Sequence, residues 1–154
     1  MKKIRIFTIA ALMMGFVSCQ KEENNDQRNG ETPAPTKQEI LASKTWLLTG
    51  MTISPAMQGV SDIFPMVDAC QKDNTWKFTN GSSKTLLIDE GSNMCRDSKQ
   101  QTTTTWNLND AGDKLTIDKY DYSMKDLSAG GFKLEEEWVE DGKHYTITSV
   151  YSPR

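Results

Sequence analysis

Apolar and polar residues alternate with a period of two along most of the chain after position 44. The stretch NTWKFTNGS places Trp76 and Phe78 on one face and polar side chains on the other. It ends in Asn80-Gly81, which is the strongest short-range hairpin signal, and KTLLIDEG is predicted to be the return strand. Strict alternation over such short runs predicts half-buried β-strands.

The same alternation recurs in the second half of the chain. The stretches that carry it are TTTTWNL, DKLTID, YDYSMKDL, GFKLEEEWVE and KHYTITSVY, with short turns such as NDAGD, SAGG and EDGK between them. Together with KTWLLTG they give about eight consecutive strands, which predicts an antiparallel barrel or sandwich. All four tryptophans fall on the predicted inner faces. This favours an all-β, eight-stranded antiparallel up-and-down barrel, because a small core needs bulky side chains.

A short N-terminal helix is predicted just before the first strand. Thr36 and Glu39 have the spacing of a T-x-x-E capping box, in which each side chain bonds to the backbone of the other residue. The helix is therefore expected to begin near Lys37.

The segment 54–73 is the one long connection between predicted strands, and it is too apolar for a solvated loop. Its large apolar residues are Met57, Val60, Ile63, Phe64, Met66 and Val67. Two interpretations stay open. The segment forms a lid over the barrel mouth, tied down by Cys70, or it exposes Ile63, Phe64 and Met66 as a partner-binding patch.

The N-terminus has basic residues followed by a short apolar run that ends at Cys19. This is the layout of a secretory signal, and the run of about a dozen residues is shorter than a membrane-spanning helix. FVSC resembles a bacterial lipobox, in which the cysteine is acylated, for example with palmitate, and becomes the new N-terminus. We therefore expect a lipoprotein signal peptide at 1–18, a flexible tether at 19–37 and a folded domain at 38–154. A soluble secreted protein with an incidental cysteine is the alternative.

The tether contains no large apolar residue, so it cannot bury enough surface to fold. Its Lys21-Glu22-Glu23 resembles the surface-export signal of Bacteroidota lipoproteins, which implies an outer-membrane lipoprotein exposed at the cell surface. A generic solvated linker fits the same composition.

Charge narrows the choice of partners. The chain has 18 basic and 21 acidic residues, for a net charge of −3, and loss of the signal would make it more acidic. Without a basic cluster, nucleic acid and anionic membrane surfaces are not expected as electrostatic partners. The membrane is expected as a partner through the N-terminal lipid only. We expect a monomer without a cofactor.

Cys70 and Cys95 remain after Cys19 is assigned to lipidation. In an exported protein an even pair predicts a disulfide, which here would lie at the barrel end opposite Asn80-Gly81. A metal pair is the alternative, although the spacing fits no compact ligand motif and the chain has one histidine, His144.

Several stretches resemble the lipocalin-like lipoproteins of Bacteroidota. They are ASKTWLLTGMTISP, CQKDNTWKFTNGS, DEGSNMC and TTTTWNL, within a resemblance that covers most of residues 38–151. The resemblance implies an eight-stranded up-and-down barrel, linked cysteines and an apolar cavity. One departure is Lys44, which stands where lipocalins proper carry glycine.

No catalytic constellation is present in the sequence. It has no G-x-S-x-G motif, and a cysteine–histidine nucleophile pair is not expected, so the protein is predicted not to be an enzyme. Asp62, Asp68 and Asp73 do not have EF-hand spacing, and calcium binding by these loops stays open.

Glu136 is the most informative single residue, because strict alternation in GFKLEEEWVE places its carboxylate among inward aromatic side chains. It is either a polar handle for a ligand or a residue at the barrel rim, where a bulge could also shift the alternation. Two functions follow. The first is a lipid-anchored protein that holds a small apolar or amphipathic ligand in the barrel; the second is a protein- or glycan-interaction module with a filled core. The possible ligand-lining residues are Trp46, Trp76, Phe78, Trp106, Phe132, Glu136, Trp138 and Tyr145.

Overall fold

The computed structural model describes residues 33–154. The predicted signal peptide, the predicted lipidation site Cys19 and the part of the predicted tether up to residue 32 lie outside the described residues.

The described part is a closed antiparallel barrel of eight strands with one additional short strand, which confirms the predicted fold class. The strands are β1 (Thr45–Met57), β2 (Val60–Asp62), β3 (Thr75–Asn80), β4 (Lys84–Asp89), β5 (Gln101–Leu108), β6 (Lys114–Ile117), β7 (Tyr120–Ser128), β8 (Gly131–Glu140) and β9 (Lys143–Pro153). Strand β1 pairs with β3, each of β3 to β8 pairs with the next strand in sequence, and pairing of β9 with β1 closes the barrel. The additional strand β2 pairs with the far half of β1.

The long segment starts later than the sequence indicates. Residue 54 still belongs to β1, which continues to Met57 and then returns as β2. A one-turn 3-10 helix, Phe64–Met66, and helix α2, Ala69–Lys72, complete the connection to β3. Much of the segment is therefore regular structure rather than a loop.

The strand directions divide the connections between two ends of the barrel. One end holds the turns after β3, β5 and β7, together with the start of β1; we call it the closed end. The other end holds segment 58–74, the connection after β4 and the turns after β6 and β8; we call it the mouth.

Helix α1 (Lys37–Ala42) covers the closed end, as the capping box predicts. The backbone N–H of Glu39 donates to Thr36 Oγ1 at 3.2 Å, and the N–H of Thr36 donates to Glu39 Oε2 at 2.7 Å. Leu41 is buried in the barrel, and its carbonyl accepts a hydrogen bond from Trp46 Nε1 at 2.7 Å. The helix thereby plugs the barrel at its closed end.

Side chains fill the barrel above this plug. The buried cluster consists of Leu41, Trp46, Leu48, Phe78, Leu86, Trp106, Leu108, Leu115, Ile117, Met124, Phe132, Leu134 and Tyr151. Its aromatic rings contact one another edge to face or stacked: Trp46 lies 5.0 Å from Phe132, and Phe132 lies 4.8 Å from Tyr151 between ring centroids. Such contacts between rings add to the free energy gained by burial.

The predicted disulfide between Cys70 and Cys95 is present, and it joins α2 to the connection after β4 at the mouth. Asp73 reinforces this junction, because its Oδ2 accepts the N–H groups of Ser92 at 3.0 Å and Asn93 at 2.9 Å. Gly91 is required beside it: its φ is +71°, and a Cβ at this position would lie 2.7 Å from the Asp73 carbonyl oxygen.

Candidate functional site

The barrel wall opens between β7 and β8 near the mouth. These strands pair from Ser128 and Gly131 up to Ser123 and Glu135, and the pairing stops there. Above this point β7 continues to pair with β6, and β8 continues to pair with β9 as far as Glu140. The two strands therefore diverge, and a cleft of about 680 Å³ lies between them. We call it the β7–β8 cleft.

Acidic and tyrosine side chains line the β7–β8 cleft. Its lining residues are Asp113, Lys114, Tyr120, Asp121, Tyr122, Ser123, Lys125, Glu135, Glu136 and Glu137. Lys114 pairs with Asp121 at 2.7 Å, and Lys125 lies 3.8 Å from Glu135. Five carboxylates thus face two lysines, each of which already has an acidic partner. The cleft has an excess of negative charge.

Glu136 lies at the rim of the barrel. The pairing of β8 with β9 is continuous from Phe132 to Glu140, so no bulge shifts the alternation. Phe132 and Leu134 are buried on the inner face, whereas Glu136, next along that face, is exposed. The predicted inward direction is thus present, and the carboxylate remains hydrated because β8 has left β7 at this level.

Trp138 and Tyr145 form the apolar part of the rim. They are register partners on β8 and β9, and their ring centroids lie 5.5 Å apart. Trp138 is 37% exposed, and it lines a pocket of about 230 Å³ together with Glu136, Glu137 and Ile147. The mouth therefore combines aromatic surface with carboxylates.

Tyr151 lies beneath the rim. It is 7% exposed, and its ring stacks on that of Phe132, its register partner on β8. Burial raises the pKa of Tyr151, and the nearby Tyr122 and Glu136 raise it further. Burial likewise raises the pKa of Tyr122, with a smaller contribution from the charge of Glu136. The hydroxyl of Tyr122, which lines the cleft, therefore stays protonated at neutral pH.

The possible ligand-lining residues divide into two groups. Four of them are packed in the core and line neither the β7–β8 cleft nor the pocket beside Trp138. These four are Trp46, Phe78, Trp106 and Phe132. Trp76 is half-buried against Tyr151, with ring centroids 4.7 Å apart. Glu136, Trp138 and Tyr145 lie together at the mouth. The structure thus brings together only the last three as an accessible group.

The lid or patch residues also have different environments. Phe64 packs against the core, with the ammonium group of Lys72 5.1 Å from its ring centroid. Ile63 is half-buried, and its N–H donates to the Met51 carbonyl at 3.0 Å. Met66 is 68% exposed. The segment therefore covers part of the mouth and presents a single large apolar side chain to solvent.

The loop carboxylates form no evident metal site. Within residues 33–154, no group of three or more histidine, cysteine, aspartate or glutamate side chains is arranged to hold a metal ion. Asp62 instead accepts the N–H of Phe64 at 3.1 Å, and Asp73 binds the loop after β4. His144 is exposed at the start of β9.

Tyr120 and Tyr122 are cleft residues that the sequence did not single out. Alternation in YDYSMKDL places both on the inner face, next to Met124. The divergence of β7 from β8 makes both tyrosines accessible. No sequence pattern within one strand indicates where its pairing with a neighbouring strand ends. The run of three glutamates at 135–137, unusual in a strand, was the available signal.

Among the helices of the described residues, none has the length and apolar character needed to cross a membrane. Neither a protein-family model nor a curated protein matches the chain.

Proposed function

We propose that this protein is a lipid-anchored interaction module of the cell envelope, which binds a partner protein at the barrel mouth and the β7–β8 cleft. The observation that carries the proposal is the division of the inner face. The core holds closely packed aromatic and aliphatic side chains, and the accessible volume lies instead at the cleft between diverging strands. An eight-stranded barrel can be filled by its own side chains, which leaves its surface and its ends available for binding.

The position of α1 supports an arrangement in which the mouth faces away from the membrane. The chain enters the barrel through α1 at the closed end, opposite the mouth. If Cys19 carries the lipid, the residues between it and α1 join the barrel at the end that lies furthest from the cleft. If the tether predicted from the sequence is a flexible coil, its roughly 17 residues between Cys19 and α1 would span about 20–25 Å and hold the domain clear of the lipid headgroups.

The pocket beside Trp138 favours a second candidate, a small amphipathic ligand. Its apolar part would lie on Trp138 and Ile147, with a donor group at the Glu136 carboxylate. The volume of about 230 Å³ is smaller than the roughly 300–1,000 Å³ of most small-molecule sites. We therefore place this candidate second.

The test combines photocrosslinking in the native host with mass spectrometry of the intact protein. A photoreactive amino acid replaces Tyr120 in the cleft or, as a matched control, Asp110 at the closed end; both side chains are exposed. We expect discrete protein adducts from position 120 and none from position 110. Equal labelling at both positions would overturn the proposal.

Mass spectrometry of the intact protein distinguishes the two candidate functions, and it also tests whether Cys19 carries a lipid. The protein, extracted in mild detergent, should carry the mass of acyl chains, and Cys19→Ser should remove this mass and release the chain from the membrane fraction. Under native conditions we expect no further small-molecule mass. A ligand that is lost on denaturation, and is absent from Trp138→Ala, would replace the interaction module by the small-ligand function.

A further inference from the structure

The upper half of β8 is a sheet edge without a neighbouring strand. Residues 136–140 pair with β9 on one side, and within residues 33–154 no strand pairs with them on the β7 side. At about 3.4 Å per residue this edge is about 17 Å long. Exposed strand edges offer rows of N–H and C=O groups to which another extended chain can bind.

The register identifies the backbone groups that face the cleft. Asp141 and Gly142 both have positive φ, +50° and +73°, and form a two-residue turn between the paired residues Glu140 and Lys143. In such a hairpin this pair exchanges both backbone hydrogen bonds, and bonding alternates along the strand. Glu140 and Trp138 therefore bond to β9, and the N–H and C=O groups of Glu137 and Val139 point into the cleft.

The side chains around this edge define the chemistry of its partner. Glu136 faces inward and Glu137 outward, so a strand added here would have a carboxylate beside each of its faces. Tyr122 and Trp138 supply aromatic surface on the inner side. A second copy of this edge would bring the same carboxylates into opposition, which disfavours pairing of two β8 strands. Cationic side chains are complementary on both faces.

We propose that the β8 edge, residues 136–140, binds an extended basic segment of a partner protein by β-strand addition. This inference rests on the proposed function and specifies its partner. The added strand receives main-chain hydrogen bonds from Glu137 and Val139, while its lysine or arginine side chains pair with Glu136 and Glu137. Its apolar side chains lie against Tyr122 and Trp138.

Amide hydrogen exchange of the full-length chain provides the first test. In the free protein the amides of Glu137 and Val139 should exchange much faster than those of Trp138 and Glu140. Addition of an acetylated eight-residue peptide in which pairs of lysines alternate with pairs of valines, so that both faces of the strand carry lysine, should slow exchange at Glu137 and Val139 by on the order of tenfold. Strong protection of all four amides in the free protein, or no change with the peptide, would overturn the proposal.

Fluorescence anisotropy with the same peptide measures separately how much main-chain hydrogen bonds and how much charge contribute to binding. Val139→Pro removes a cleft-facing N–H without removing a bond to β9, and proline is tolerated at strand edges. We expect this variant to weaken binding by about tenfold or more. Glu137→Lys should weaken binding by a similar factor, whereas Asp110→Lys, the same charge change at the closed end, should not.

Peptide controls identify the binding mode. A glutamate–valine peptide of the same length should not bind, and N-methylation of alternate residues should abolish binding of the lysine–valine peptide. Binding that survives both Val139→Pro and N-methylation would show charge attraction without strand addition. Crosslinking at position 120 that is unaffected by Val139→Pro would leave the interaction module in place and overturn the β8 edge as its contact.

Discussion

The closed end and the mouth are built from the same strands, but the inner faces of these strands have different neighbours at the two ends. At the closed end, β8 has β7 and β9 beside it, and Phe132 and Leu134 are buried. Two residues further along the same face, β8 has lost β7, and Glu136 is exposed. Loss of one neighbouring strand thus changes an inner position from buried core to solvent-accessible surface. We therefore expect substitutions at the closed end to lower stability, and substitutions at the mouth to change binding with little effect on stability.

We expect the largest loss of stability from Trp46→Ala, at the closed end. Trp46 is 0% exposed and donates a hydrogen bond to the Leu41 carbonyl, so the substitution leaves a large cavity and an unbonded carbonyl. We expect the free energy of unfolding in urea to fall by about 4 kcal/mol. Trp138→Ala is the matched control at the mouth and should cost about 1 kcal/mol, because that ring is already partly hydrated. Equal losses would contradict the division between the two ends.

Removal of the disulfide should cause the next largest loss of stability, and its effect on local structure should be concentrated at the mouth. Cys70 and Cys95 are 25 residues apart, and removal of the bridge by the double serine variant should cost about 3.5 kcal/mol in the chain-entropy description. Urea unfolding gives this value. Amide exchange should accelerate first in 58–74 and 90–100, with α1 unchanged under native conditions. Faster exchange in α1 alone would show that the bridge supports the closed end instead.

The helix cap provides a smaller effect with a defined dependence on pH. Thr36→Ala removes the N-cap of α1 and should lower the free energy of unfolding by about 1 kcal/mol near neutral pH. Hydrogen bonds from Thr36 lower the pKa of Glu39 below its ordinary value of 4.5. A lowered pKa in the folded state adds stability above the unfolded pKa, and this is lost as the pH falls through the folded pKa.

The difference between the native chain and Thr36→Ala should therefore shrink as the pH falls below about 4.5. Urea unfolding of both proteins from pH 3 to 7, in steps of about one unit, follows this change. A difference that is constant across the range would mean that the Thr36 hydroxyl does not lower the pKa of Glu39, which would then rest on the backbone N–H of residue 36 that alanine retains.

Local patterns predicted the closed end because its residues obey local rules. Period-two alternation identified Trp76, Phe78 and Trp106 as inner residues, and the spacing of Thr36 and Glu39 placed α1. Each of these features depends on the geometry of one strand or one helical turn. The disulfide also followed from sequence, because two cysteines in a chain that is predicted to be exported are expected to pair.

The mouth was predicted less completely, because its properties depend on where strands cease to pair. Strand β2 exists because β1 continues past Ser54 far enough to form a hairpin, and Gln58 and Gly59 both have positive φ in its turn. The β7–β8 cleft likewise depends on the last shared pair, Ser123 and Glu135. Both are properties of two strands together, and alternation within either strand is the same whether or not they pair.

The smallest effect on stability should come from Glu136→Gln, where the rim residue keeps its shape and loses its charge. The side chain is exposed, so the free energy of unfolding should change by less than about 0.5 kcal/mol. Leu134→Ala, one inner position below, should cost about 3 kcal/mol, since Leu134 is buried. These two variants locate the boundary between core and mouth within a single strand.

Glu136→Gln should also alter the titration of Tyr122. Burial and the Glu136 charge both raise the pKa of Tyr122 above 10.0, so Glu136→Gln should lower it while burial keeps it above that value. Carbon-13 NMR of the tyrosine rings measures the change, with the native protein as the reference. An unchanged titration of Tyr122, together with a loss of stability near that of Leu134→Ala, would place Glu136 in the core. The boundary would then lie above β8 residue 136, and the cleft would be too shallow to accept an added strand.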